Sequence, residues 1–271
     1  MLTLTHLLTV ALTMFLWWFS TGAIMAVYGR SRRFVGWVFA IWTLGLIPAF
    51  IGLLVTRSRA ELLDVYLAAG CAVVLWGWQI AGYFFGFITG PRHQRVTALK
   101  QPISLWDRFR LAVSFSLHHE LFAIGGAVVI ALLTLGQPNP WALWMYVILW
   151  IMHTSAKLNV FLGVRNFSVE MLPQQMRYLE VVFGKQRRNL LFPFSITFAV
   201  SAAVFLLYRT VAPDTEPAHS VGAVMVATMI GLGTLEHLLL MLPLSATLWG
   251  WGIRALPPRA EPDSMAEGGI Q

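Results

Sequence analysis

Seven ionisable side chains stand inside otherwise apolar stretches. They are His118, His119 and Glu120 in one stretch, His153 and Lys157 in a second, and Glu236 and His237 in a third. Gln79, between Trp78 and Ile80, and Asn159 have similar surroundings. Ionisable groups are costly in hydrocarbon, so each calls for a partner or a task. Four tasks match these residue types. The first is structural: hydrogen bonds between helices, and an ion pair from Lys157 to a Glu of a neighbouring helix. His153 and Lys157 are spaced i,i+4 and share a helix face, so one such Glu could serve that face. The second is a metal site, because four His and two Glu are the ligand chemistry of zinc or non-haem iron. Among these seven residues the Glu-x-x-His pairs of di-iron bundles and an H-E-x-x-H helix are, however, missing. The third is tetrapyrrole ligation, in which a neutral His in an apolar helix binds the central metal. Trp17, Trp18, Trp76 and Trp78 would supply flat contacts to such a ring. The fourth is a transport path, against which the lack of an inverted repeat counts.

The elements that must position these groups follow from composition. Of 271 residues, 58% are hydrophobic and 11% charged, with mean hydropathy +0.69. Soluble domains carry about 25% charged residues, which excludes an ordinary soluble enzyme. Apolar runs bounded by charges predict an all-α integral membrane protein, a bundle of seven spans at about 20 residues each. The runs cover 5–27, 35–55, 65–88, 111–135, 141–163, 191–209 and 220–252. The first lacks the positive start and small-residue cleavage site of a signal peptide and reads as a span. The last is too long for one straight crossing, and Pro243 offers a break, leaving Trp249 and Trp251 at the interface. Residues 1–256 read as one membrane domain and 257–271, after Pro257-Pro258, as a disordered cytoplasmic tail. Residues 173–184 have the pattern of a short surface amphipathic helix. The lone Cys71 excludes an internal disulfide.

Orientation follows from the basic residues. Fifteen of the nineteen Lys and Arg fall in loops 28–34, 89–110 and 164–190 and in the tail, on one side of an alternating seven-span path. Only Arg57, Arg59 and Arg209 fall on the other, and Lys157 lies within a span. The positive-inside rule then predicts a periplasmic N-terminus and a cytoplasmic C-terminus. It also explains the basic charge without nucleic acid, which is not an expected partner.

Depth allows the buried polar groups to meet. At 1.5 Å per residue, Gln79, His153, Glu236 and the 118–120 run fall within roughly one or two turns of the same level. Gly136-Gln137-Pro138-Asn139-Pro140 is a tight turn that makes spans four and five antiparallel neighbours, so His118–Glu120 should face His153–Lys157. Gly82-x-x-x-Gly86 matches the small-residue helix-contact motif, a chance-level match among 22 glycines. Phosphate-binding loops, dinucleotide fingerprints, nucleophile elbows and CxxC pairs are absent.

The motifs taken in order resemble the photosynthetic complex assembly protein 2 family of phototrophic bacteria, also called PuhE. The resemblance is carried by Trp17-Trp18-Phe19-Ser20-Thr21-Gly22, Gly86-Phe87-Ile88-Thr89-Gly90-Pro91-Arg92, His118-His119-Glu120-Leu121 and Gly136-Gln137-Pro138-Asn139. It continues through Ser155-Ala156-Lys157-Leu158-Asn159-Val160-Phe161-Leu162-Gly163-Val164, Leu191-Phe192-Pro193 and Leu235-Glu236-His237. It implies a multi-pass protein of the bacterial cytoplasmic (inner or intracytoplasmic) membrane that assists assembly of the reaction-centre or light-harvesting complex, or modulates pigment supply. From this resemblance no catalytic residue is carried over to the chain. The expected partners are the lipid bilayer, subunits of that complex or other assembly factors, and a tetrapyrrole. The expected cargo is bacteriochlorophyll or a precursor, held at a layer of His118, His119, Glu120, His153, Lys157, Glu236 and His237. The alternative is a membrane-embedded enzyme using a non-haem metal ion at that layer to modify a pigment or quinone.

Overall fold

The computed structural model describes residues 3–27, 29–89, 104–165, 180–184, 189–212 and 215–241. Its long elements are seven α-helices: α1 Leu4–Val27, α2 Arg32–Thr56, α3 Leu62–Phe84, α4 Leu105–Thr134, α5 Trp141–Leu162, α6 Leu191–Thr210 and α7 Pro217–Met241. All seven are long and apolar enough to cross a membrane. The shortest has 20 residues, which at 1.5 Å per residue reaches about the 30 Å of a bilayer's hydrocarbon core.

α3 and α7 form the centre. α3 packs against α1, α2, α4, α5 and α7, and α7 against α1, α3, α5 and α6. Their inner faces are rich in small residues: Ala68, Ala69, Ala72 and Ala81 in α3, and Ala218, Ala223 and Ala227 with Gly222 and Gly233 in α7. Between membrane helices apolar burial gives no driving force, so close backbone approach and dispersion contacts take its place. Gly222 illustrates this: a Cβ there would enter the Trp141 indole of α5. The outer helices turn large side chains toward lipid, among them Phe15 and Phe19 of α1, Trp37 and Ile41 of α2, and Phe194 and Phe205 of α6.

α4 begins earlier than its hydropathy predicts, at Leu105 rather than 111. The hydroxyl of Ser104 accepts from the Asp107 amide at 3.1 Å and donates to its carboxylate at 2.7 Å, an N-cap that starts the helix among charges. Arg108 and Arg110, expected in a loop, are therefore helical. Arg108 donates to the Phe161 carbonyl at the end of α5, 3.2 Å away, with its guanidinium over the Phe161 ring. The third span ends at Phe84 rather than 88, because Gly86, at φ 74°, turns the chain. The amides of Phe87 and Ile88 then return to the Gly82 carbonyl at 2.8 and 2.9 Å. Gly86 thus belongs to a helix terminus, while the missing Cβ of Gly82 leaves room for Ile88 and for Phe39 of α2.

The turn between α4 and α5 lies where Gly136 to Pro140 placed it, with Gly136 at φ 72°. Asn139 is fully buried there, donating to the Thr56 carbonyl at 3.1 Å and accepting from the Trp141 amide at 3.3 Å. Of the 173–184 stretch, the described part is a 3₁₀ turn over 180–182. Its Val182 packs on Tyr83 of α3 and Phe115 of α4. Pro243, Trp249, Trp251 and the tail lie outside the described residues.

Candidate functional site

Four side chains on one face of α5 organise the site: Tyr146, Trp150, His153 and Lys157, at helical spacings of four, three and four. Facing them on α3 are Trp76, Gln79 and Tyr83, again three and four apart, and on α4 His119, Ala123 and Gly126. The short α4–α5 turn holds these two helices side by side, as its sequence implied.

The fixed end of this interface is a hydrogen-bonded knot. The Gln79 amide donates to the Tyr146 hydroxyl and, at 3.1 Å, to the Phe122 carbonyl; Tyr146 donates to the Ala123 carbonyl at 3.2 Å. Non-helical partners of this kind are tolerated because a Cβ is missing at Gly126: one there would enter the Tyr146 hydroxyl and approach the Gln79 amide. Gln79 and Tyr146 are thus packing determinants.

Above the knot, Trp76, Tyr83, Tyr146, His119 and His153 form an aromatic and imidazole cluster. The His119 and His153 ring centroids lie 5.4 Å apart, Tyr83–His119 4.9 Å and Trp76–His153 5.7 Å. His119 is fully buried. Neither of its ring nitrogens, nor Nε2 of His153, has a hydrogen-bond partner among the described residues. The polar group facing His119 is the Gln79 backbone.

Beside the cluster Lys157 is ion-paired with Oε1 of Glu120, and Trp150 donates its indole N–H to Oε2 at 3.1 Å. Both oxygens of the carboxylate are therefore occupied. The Lys157 ammonium also lies 5.8 Å from the Tyr83 ring centroid. This is the ion pair that the polar layer predicted for Lys157, with Glu120 as the partner, and it is the single ion pair among the described residues.

Two cavities meet at His153. The smaller, about 250 Å³, lies between α1, α3, α5 and α7 and contains Trp17, Ser20, Trp76, His153 and Glu236. The larger, about 500 Å³, lies between α3, α4, α5 and the 180–184 segment, with Ser116, Glu120, Thr154, Lys157 and His153 on an otherwise aromatic and aliphatic wall. His153, Ala156 and Phe84 line both, so they form the partition. The larger cavity is within the range of pockets that take small organic molecules.

The remaining members of the expected layer go elsewhere. The His118 side chain is exposed, turned away from His119 by one helical step. Glu236 is exposed at the smaller cavity, with the Trp17 indole as its hydrogen-bonding neighbour. His237 is buried in a separate chain of polar groups. Its Nδ1 lies 2.7 Å from the Gly233 carbonyl and its Nε2 2.9 Å from the Ser155 hydroxyl. A carbonyl only accepts, so Nδ1 carries the proton, and Nε2 of the neutral ring accepts from Ser155. Ser155 lies 3.1 Å from the Ser195 hydroxyl, which accepts from Asn159 at 3.1 Å. Asn189 donates to Asn159 Oδ1 at 2.9 Å and accepts from the Leu191 and Phe192 amides that open α6. This chain ties α5, α6 and α7 together. Its bonds cross from α5 to both of the other helices, which gives it a structural role. Ser155, Ser195 and Asn189 were not singled out by sequence; the i,i+4 spacing of Ser155 and Asn159 was the available signal.

Among the described residues no group of three or more His, Cys, Asp or Glu is arranged to hold a metal ion. The group best able to hold a metallated ligand is the His153 imidazole, which lines both cavities and whose buried Nε2 has no partner among the described residues.

The fold and site define a multi-pass, all-helical membrane protein with a polar cluster enclosed between α3, α4 and α5. The chain belongs to the DUF3623 family, described as a protein of unknown function, whose model matches residues 3–260. It is 30% identical over 256 residues to a Rhodobacter capsulatus protein described as an uncharacterized 30.4 kDa protein in the puhA 5′ region, covering 92% of this chain and 91% of that one. No solved structure matches it.

Proposed function

We propose that this protein is an assembly factor for the bacterial photosynthetic reaction-centre or light-harvesting complex, of the PuhE type, and that it handles bacteriochlorophyll or a precursor at the cavity walled by His153. The observation that carries the pigment-handling part is the unpartnered Nε2 of His153, set among aromatic rings at the meeting of two intramembrane cavities. A buried polar atom without a partner is costly unless a ligand supplies one. When bound, the tetrapyrrole would supply a central metal for that imidazole; Trp76 and His119 hold the ring in place by ring contact. The photosynthetic setting is supported by the relative described in the puhA 5′ region and by the motif resemblance. The same reading places the protein in the cytoplasmic membrane with a periplasmic N-terminus, on the asymmetry of its Lys and Arg.

The test is protein purified in mild detergent from cells that make bacteriochlorophyll. Tetrapyrrole absorbance at near-stoichiometric level is expected, lost in His153→Ala while the protein stays folded. A colourless wild-type preparation would overturn pigment handling. Deletion of the gene should lower assembled reaction-centre or light-harvesting complex while free pigment is still made; normal complex levels would overturn the assembly role.

A further inference from the structure

The larger cavity carries more chemistry than a metal-binding nitrogen. Five polar side chains line its wall, His153, Thr154, Lys157, Glu120 and Ser116, the last with its hydroxyl turned back to the Ala112 carbonyl of its own helix, amid Tyr83, Phe84, Phe109 and Phe161. The Thr154 hydroxyl oxygen is buried and, like His153 Nε2, has no hydrogen-bond partner among the described residues. In most membrane helices such a hydroxyl turns back to a carbonyl of its own helix. Lys157 is 27% exposed and Glu120 25%. Each oxygen of the Glu120 carboxylate already has a donor, Lys157 on one and Trp150 on the other. The Lys157 ammonium has three N–H donors, and Glu120 takes one of them. What the wall offers a ligand is thus, above all, the spare N–H donors of Lys157, with the Thr154 hydroxyl and the His153 imidazole behind them.

Charge decides which acceptor the wall prefers. Lys157 and Glu120 already neutralise each other. A ligand carboxylate would bring a third, uncompensated charge into a low-dielectric cavity, against the nearby Glu120 anion, and the desolvation cost of such a charge is large. A neutral carbonyl oxygen accepts the same N–H and O–H groups without that cost.

Building on the pigment-handling reading above, we infer that this site selects a metallated macrocycle whose rim presents a neutral carbonyl, a ketone or an ester, and discriminates against the free carboxylic acid. The Lys157–Glu120 pair is the specificity element: Lys157 donates to the rim oxygen, and Glu120 cancels the charge that would otherwise attract an acid. Among tetrapyrroles this places the esterified form, and not its free-acid precursor, as the cargo.

The experiment titrates the purified full chain, in one detergent, with zinc protoporphyrin IX and with its dimethyl ester, reading the absorption shift of the porphyrin on binding. Wild type is expected to bind the ester about tenfold or more tightly than the acid, a difference of about one decade in Kd. Glu120→Gln leaves Lys157 as a net cation and should reverse the order in favour of the acid. Because both proteins are titrated in the same micelle, the difference in porphyrin partitioning cancels from the comparison. The double variant Glu120→Gln/Lys157→Met, neutral again and without a stranded charge, should bind the ester more weakly than wild type and still not prefer the acid. Equal affinities in wild type, or a ratio that Glu120→Gln does not move, would overturn the inference while leaving the pigment reading intact. Failure of wild type to bind either porphyrin counts against the pigment reading itself, and the inference falls with it.

Discussion

His119 and His153 meet across the α4–α5 interface with ring centroids 5.4 Å apart, yet only His153 lines a cavity. Two residues of the same type at the same depth therefore have different surroundings. His119 is enclosed by Tyr83, Trp76 and its partner imidazole, and no ligand reaches it without displacing them.

His119→Leu should consequently be tolerated. The substitution removes two ring nitrogens that lack hydrogen-bond partners among the described residues and fills the space with an apolar side chain. Removing an unsatisfied buried polar group is near neutral, so a change within about 1 kcal/mol is expected. Thermal unfolding in detergent measures it, and pigment binding should persist. A loss well beyond that would show that the contact with the Gln79 backbone is a strong hydrogen bond.

Lys157→Met alone should destabilise the protein, because it leaves the Glu120 carboxylate with the Trp150 indole as its remaining partner. Breaking a fully buried pair costs about 3–5 kcal/mol; the partial exposure of this pair to its cavity lowers that to about 2 kcal/mol. Glu120→Gln/Lys157→Met should recover at least half of the loss. A double variant as unstable as the single one would mean that the two side chains act independently.

Gly126→Ala tests the knot beneath the cluster. Its Cβ would enter the Tyr146 hydroxyl and crowd Gln79, so α4 must move away from α5 and α3. Overpacking of this kind costs about 1–3 kcal/mol. The same change at Gly125, where a Cβ meets nothing within 4 Å, should have little effect and serves as the control. Equal melting temperatures for the two variants would show that the knot is not tightly packed.

Asn189→Ala removes the cap on the Leu191 and Phe192 amides together with the bond to Asn159. A lost cap costs about 1 kcal/mol, and the bond to Asn159 adds a similar amount. Proteolysis should accelerate near the start of α6, and tetrapyrrole binding, which is housed between α3, α4 and α5, should change little.

Orientation is open to cysteine labelling. In a Cys71→Ala background, Ser58→Cys, between α2 and α3, should react with a membrane-impermeant maleimide from the periplasmic side. Ser104→Cys, at the opposite end of the bundle, should react only after the membrane is permeabilised. The reverse pattern would overturn the positive-inside assignment.

Hydropathy and charge placement determined the seven helices and their order, because a bilayer admits few ways of satisfying a backbone and helices are the simplest. The α4–α5 turn was legible for a local reason as well: Gly136 must take a positive φ, and two prolines follow it. The start of α4 was misread because Arg108 and Arg110 look like loop residues, whereas a long cationic side chain reaches the interface from within a helix. The polar layer was legible as a set of residues at one depth, but not as an arrangement. Its members separate into the His119–His153 cluster with the Glu120–Lys157 pair, the His237–Ser155 chain and Glu236 beside Trp17, with His118 outside. Depth depends on position along one helix and can be counted from the sequence. Which faces meet depends on how the helices rotate against one another, and that is set by small residues such as Gly126 and Gly222 that admit Tyr146 and Trp141. Those contacts exist only once the bundle is packed, which is why tertiary structure alone put His153 and not His119 on a cavity wall and made Glu120 the partner of Lys157.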